Sequence, residues 1–216
     1  MAKRLLDTVV SLFGLIVLLP VFAVIAVLVK RDSKGPILHK SPRVGTRGRL
    51  FEIYKFRTMY ENADSISKSS SCADDDPRVT KFGAVLRRYK LNELPQLINV
   101  LRGEMSLVGP RPQVEWAVDR YSNEVKQLIL SVRPGITDYA SIAFCNEGEI
   151  LNGSADPDKD YLEKIEHKKI MLQLDYLKNR SFWVDLEILV GTLRVLLLGL
   201  RGSRGLDVSA RSVQES

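Results

Sequence analysis

The stretch from Arg87 to Pro112, RRYKLNELPQLINVLRGEMSLVGPRP, concentrates residue types that handle phosphate. A carboxamide and a carboxylate, Asn92 and Glu93, stand side by side ahead of Pro95. Arg87 and Arg88 lie one turn upstream, Arg111 sits between Pro110 and Pro112, and Arg133 opens a Pro-Gly turn, RPGIT. Arginine grips phosphate through a planar two-pronged fork that lysine lacks, and flanking prolines hold its backbone still. Phosphoryl transfer needs an anion clamp, usually Mg²⁺ on carboxylates, and a nucleophile, a part an aspartate can play by forming an aspartyl-phosphate. Glu93 can bind the metal. Asn92, a neutral amide, cannot attack. Taken singly, each arginine reads as a solvated surface residue. Asn92-Glu93 likewise reads as a capped helix start, because Asn is a favoured N-cap and Glu suits the positive end of the dipole. Together they point to phosphate chemistry at a helix N-terminus, whose free N–H groups attract anions.

These residues need a scaffold. Leu50–Tyr54 has strand-forming composition, and Gly and Pro separate such patches between residues 35 and 59. Apolar spacing predicts a helix over 81–89 with Phe82, Val85 and Leu86 on one face. A second helix covers 93–103, with Leu94, Leu97, Ile98 and Leu101 inward and Gly103 as its stop. A single helix is expected over 112–132 and a long amphipathic one over 156–180.

The most decisive segment is 5–29, LLDTVVSLFGLIVLLPVFAVIAVLV, which carries no charge from Thr8 to Val29. A bilayer core takes roughly 20 such residues as a helix. The run exceeds the h-region of a signal peptide and lacks its cleavage site. Lys3-Arg4 and Lys30-Arg31 flank it, so both ends carry the charge that prefers the cytoplasmic side. Pro20 removes a hydrogen bond and kinks the helix mid-run. The expectation is a re-entrant helix returning to the same face, with a simple span as the alternative. Segment 181–202 is apolar but broken by Asp185, Glu187 and Arg194, with Trp183 near its start. It reads equally as a helix in the interface, with Arg194, Arg201 and Arg204 facing the headgroups, or as a buried core helix. The last dozen residues read as a tail.

The 216 residues hold 45% apolar and 27% charged side chains, which excludes a disordered or multi-spanning chain. A net charge of +6 suggests an anionic partner: membrane surface, phosphate or nucleic acid. Cys72, Cys145, His39 and His167 show no metal-ligand spacing, which argues against zinc and for reduced thiols in the cytosol.

The blocks GPILHKSPRVGTRGRLFEIYKFRTM, DPRVTKFGAVLRRYKLNELPQLINVLRGEMSLVGPRP and RPGITDYASI closely resemble the bacterial sugar transferases of the monotopic phosphoglycosyl transferase family. The resemblance runs from the N-terminus to about residue 145. It implies a mostly α fold with minor β: a re-entrant membrane helix (1–31), a cytosol-facing catalytic domain with interfacial amphipathic helices (32–203), and a C-terminal tail (204–216). It implies transfer of a phospho-sugar from a UDP-sugar to a polyprenol phosphate such as undecaprenyl phosphate. UMP leaves, by a ping-pong reaction with Mg²⁺ through a covalent aspartyl phospho-sugar, at the cytosolic face of the bacterial inner membrane. The product would start lipopolysaccharide O-antigen, capsule, exopolysaccharide or glycoprotein glycan assembly. Membrane lipids, downstream glycosyltransferases and a second copy of the chain are the further partners it suggests.

Carried over by position, the family's Asp-Glu dyad falls on Asn92 and Glu93, which would also hold the metal. Arg87 and Arg111 would grip the diphosphate, with Arg88, Arg133, Lys55 and Arg57 as supporting charges, and Asp76 in a structural turn. Asn92 departs from the family at its nucleophile. A chain inactive as written is therefore expected, by deliberate Asp→Asn replacement ahead of a natural pseudoenzyme. Glu93 as substitute nucleophile would sit one residue out of position. Two other classes compete: a non-catalytic membrane scaffold that binds nucleotide sugar or glycosyltransferases, and a nucleic-acid binder. The latter rests on net charge alone, with no recognition motif behind it.

Overall fold

A computed structural model describes residues 2–66 and 71–198. The expected tail, with Arg201 and Arg204, lies outside the described residues. The elements in chain order are α1 (Ala2–Val17), α2 (Leu19–Asp32), β1 (Leu38–Val44), β2 (Leu50–Phe56), α3 (Ala63–Ile66), α4 (Lys81–Arg88), α5 (Gln96–Arg102) and β3 (Ser106–Val108). They continue with α6 (Glu115–Asp119), α7 (Asn123–Ile129), β4 (Gly135–Thr137), α8 (Tyr139–Ala143), α9 (Glu147–Ile150), α10 (Pro157–Tyr161), α11 (His167–Asn179) and α12 (Phe182–Leu198). The fold is mostly helical with two small sheets: β1 pairs antiparallel with β2, and β3 pairs parallel with β4. Ile53, Val100, Met105, Val108, Ile142 and Ile188 form the main core, where β2, α5, β3, α8 and α12 converge.

No single described helix is long and apolar enough to cross a membrane; α1 and α2 reach that length only as a pair bent by 61°. The bend falls at Leu18, and Pro20 sits in the first turn of α2, where a missing N–H costs no intrahelical bond. Both ends of the pair are fastened to the same body. Lys3 donates to the Val108 carbonyl at 3.0 Å and pairs with Asp185, and Arg4 donates to the carbonyls of Val100 (2.6 Å) and Leu101 (3.0 Å). At the other end, Arg57 donates to the carbonyls of Val29 (3.1 Å), Ser33 (2.6 Å) and Lys34. Between these anchors Val9, Leu12, Phe13, Ile16, Leu19 and Val24 stay exposed.

Several expected details are corrected. In α4, Leu86 is buried and Phe82 packs beside it, but Val85 points to solvent. In α5 the deepest residues are Gln96, Asn99 and Val100, while Leu94, Leu97, Ile98 and Leu101 are half-buried. The polar side won because Asn99 ties the helix to β2. It accepts from the Tyr54 N–H at 3.0 Å and donates to the Glu52 carbonyl at 2.7 Å. Gly103 ends α5 at φ 81°, as read. The single helix expected over 112–132 is two, α6 and α7, because Ser122 accepts from the Val125 N–H and starts a new helix. The long helix after 156 runs on, but through a π-helical turn at Leu162–Glu166. Helix α12 packs into the core through Asp185 and Ile188, which are buried, whereas Trp183 and Leu197 are 74% and 81% exposed.

Candidate functional site

The Asn92-Glu93 pair is not a helix cap. Lys90 turns the chain through the left-handed region (φ 56°), and Leu91–Glu93 form a 3₁₀ turn ahead of α5. A non-glycine residue there costs roughly 1–2 kcal/mol, strain that the surrounding contacts must hold. The turn places Glu93 on the wall of a cleft of about 1110 Å³.

Facing it is Arg111, on a loop fixed at both ends. The Gly135 N–H donates to the Pro110 carbonyl at 3.0 Å, and the Val44 N–H donates to the Gln113 carbonyl at 2.9 Å. A side chain at Gly135 would collide with the Gly109 backbone, so only glycine lets β4 brace this loop so closely. Arg111 donates to Glu93 from both terminal nitrogens: Nη1 meets Oε2 at 2.9 Å, and Nη2 meets Oε1. Lys55 adds a contact to Oε1 at 3.4 Å. Burial alone would push the Glu93 carboxyl up, but Arg111 and Lys55 overcome it and hold the group well below the carboxylate range. Glu93 in turn raises Arg111. Lys55 moves the other way, lowered by burial to about 8 despite Glu93.

The floor of the cleft comes from strand alternation. His39, Ser41 and Arg43 on β1 and Ile53 and Lys55 on β2 share one face, with His39 opposite Lys55, and Arg57 follows just past the end of β2. Period-two spacing in LHKSPRV carried the signal for Arg43, which the motif reading passed over. Arg43 is lowered by burial and then by Arg111, one cation disfavouring the other.

Arg87 enters from α4, where Gly83 lets the helix lie directly on the Thr58 carbonyl. Its Nε donates to Thr58 Oγ1 at 2.8 Å, and its Nη1 meets the Cys72 thiol. Burial pushes that thiol up to about 11 against Arg87's pull. Arg88 also lines the cleft, exposed, over the Tyr89 ring. Two other expected charges have different partners. Arg57, buried, caps the carbonyls at the end of α2, and exposed Arg133 donates to the Gly103 carbonyl at 2.8 Å. Asp76 is held to Arg78 by several hydrogen bonds; burial would raise its carboxyl, but Arg78 brings it down to about 2.

Asn92 is 9% exposed, lines the cleft, and its Oδ1 has no hydrogen-bond partner among the described residues. A buried oxygen left without a partner costs about 1–3 kcal/mol. The sequence reading missed the far side of the cleft altogether: Glu147, Tyr161 and Lys169 from α9, α10 and α11.

The family model described as bacterial sugar transferase matches residues 1–199. The chain belongs to the bacterial sugar transferase family. It is 36% identical over 216 residues to the exopolysaccharide production protein ExoY of Sinorhizobium fredii, covering 94% of this chain and 88% of that one. It is 37% identical over 199 residues to the UDP-N-acetylgalactosamine-undecaprenyl-phosphate N-acetylgalactosaminephosphotransferase of Aeromonas hydrophila, covering 91% and 44% of the two. With the UDP-glucose:undecaprenyl-phosphate glucose-1-phosphate transferase of Escherichia coli K12 it shares 38% over 190 residues, 86% of this chain and 38% of that protein. The chain thus spans less than half the length of the latter two relatives.

Proposed function

We propose that this chain carries the site of a phosphoglycosyl transferase that moves a sugar 1-phosphate from a UDP-sugar to a polyprenol phosphate at the cytosolic face of a bacterial inner membrane. The observation that supports it most is the junction of Asn92, Glu93 and Arg111 in a basic cleft. The bent α1–α2 pair, whose two ends are both fastened to that body, supports a re-entrant anchor, since a straight span would separate its ends by roughly 30 Å.

In the proposed reaction Arg87 and Arg111 hold the donor diphosphate, and Arg111 meanwhile keeps Glu93 ionised and fixed. With aspartate at position 92, a carboxylate oxygen attacks the sugar-bearing phosphorus. The new O–P bond forms as the bond to UMP breaks. A polyprenol phosphate oxygen then attacks the same phosphorus, frees the carboxylate and leaves with the phospho-sugar as a polyprenyl diphospho-sugar. The product would begin assembly of a polysaccharide or glycoprotein glycan. Asn92 Oδ1, buried without a partner among the described residues, and the carboxylate of the next residue, Glu93, are oxygens of the kind Mg²⁺ takes together with substrate phosphates, and they would hold it. Bound there, the ion would neutralise diphosphate charge. As written, the chain stops at donor binding, because an amide does not attack. Asn92 itself favours the second reading, a scaffold that binds nucleotide sugar without turnover. Returning aspartate to position 92 separates the two: turnover supports the transferase, and binding without turnover supports the scaffold.

A further inference from the structure

The far wall of the cleft carries a second charged unit that the transfer chemistry leaves unused. Lys169 of α11 is buried, only 9% exposed, and its ammonium pairs with Glu147 Oε2. Two rings flank that ammonium, Tyr161 at 5.2 Å and Phe144 at 5.9 Å from ring centre to nitrogen. The π-helical turn at Leu162–Glu166 explains how Tyr161 and Lys169 meet. Eight residues of regular α-helix leave two side chains about 80° apart, and absorbing one extra residue brings them to within about 20°.

Glu147 keeps Oε1 free of protein partners among the described residues, and its side chain remains 29% exposed along the cleft. A lysine locked between two rings fixes that carboxylate. A fixed anion repels phosphate, so this wall suits the uncharged part of the donor. Glu147 and Arg111 line the same cleft, so a donor whose diphosphate lay on Arg111 would bring its uncharged part within the cleft that Glu147 also lines.

Resting on the transferase reading above, we propose that Glu147 reads the donor sugar by accepting hydrogen bonds from its hydroxyls, with Lys169 as the positioning residue that holds it. The ligand class is a UDP-hexose or N-acetylhexosamine with free ring hydroxyls away from the anomeric phosphate.

The Asn92 chain allows a test without turnover. Calorimetry in detergent would compare UDP with UDP-glucose, UDP-galactose and UDP-N-acetylgalactosamine on the full chain, on E147Q and on the charge-free pair E147Q/K169M. The proposal predicts that at least one sugar nucleotide binds about 10-fold tighter than UDP, an increment of about 1.4 kcal/mol. Both variants would lose that increment and keep UDP within about 2-fold. The retained UDP binding also reports an intact fold. Equal binding of UDP and every UDP-sugar by the full chain would overturn the proposal, as would an increment that survives in the pair variant. Loss of UDP itself from both variants would assign Glu147 to the uracil or to the fold, and overturn it too. Failure of the full chain to bind UDP at all would sink the transferase reading beneath it, a different and recognisable result.

Discussion

Arg111 meets Glu93 fork to fork, each terminal nitrogen on its own carboxylate oxygen, with the Ile136 carbonyl 3.4 Å from Nη1. Lysine reproduces the charge of such a fork but not its second prong. In a chain that already carries Asn92→Asp, Arg111→Lys is expected to lower UMP release by about 10²-fold while leaving the fold intact. Arg111→Ala leaves the half-buried Glu93 carboxylate with the 3.4 Å Lys55 contact in place of the fork and is expected to cost about 3 kcal/mol by denaturant unfolding. The pH dependence carries the sign of a depressed carboxyl. The parent's extra stability is full above the ordinary value of 4.5 and is lost as pH falls below it. Equal acid sensitivity of parent and Arg111→Ala would contradict the pairing.

Lys55, lowered to about 8, sheds its proton within the range of ordinary assays. Its folded value lies below its unfolded one, so the ammonium form costs stability below about pH 8, and the cost is relieved as pH rises from 8 to 10.5. Affinity for UDP is expected to weaken as pH passes 8, because a phosphate-facing cation is lost. Lys55→Arg, always charged, would flatten that profile; an unchanged profile in this variant would remove Lys55 from the phosphate site.

Arg57 holds the end of α2 through the carbonyls of Val29, Ser33 and Lys34. Arg57→Met is expected to lose about 2–4 kcal/mol, chiefly from unmade charge-assisted bonds. Limited proteolysis should then cut near residues 33–36 before elsewhere. Wild-type protection at that junction would contradict the anchoring role.

Gly83 touches the Thr58 carbonyl where α4 crosses the end of β2. Gly83→Ala improves helix propensity by about 1 kcal/mol, yet it must push α4 and Arg87 off Thr58. UDP affinity is expected to fall together with the melting temperature. A gain in stability with affinity unchanged would show that the contact is loose.

The sequence made the strand at 50–54, the Gly103 stop and the N-terminal kink legible, because each rests on local chemistry. Glycine at a left-handed position, proline in a first turn and alternating strand residues carry their meaning within a few neighbours. What stayed hidden was decided by distant partners. Arg57 and Arg133 look like phosphate ligands until the carbonyls of Ser33 and Gly103 are found beside them. Asn92 has the type of an N-cap, but the left-handed Lys90 and the packing around it hold it in a 3₁₀ turn on the cleft wall. The π-turn at Leu162–Glu166 leaves no mark on hydrophobic spacing, so the Tyr161–Lys169–Glu147 group had no signature. The break at Ser122 did have one, a Ser N-cap before Asn123-Glu124, hidden under an apolar pattern that runs across it.

The central claim is that position 92 holds the nucleophile. Its most direct test is UMP release from a panel of UDP-sugars with undecaprenyl phosphate and Mg²⁺, on the chain as written and on Asn92→Asp. The account predicts turnover by the Asn92→Asp form alone, with a phospho-sugar adduct on residue 92 by mass spectrometry when the acceptor is withheld. Equal turnover by both forms, or an adduct on any other residue, would contradict it.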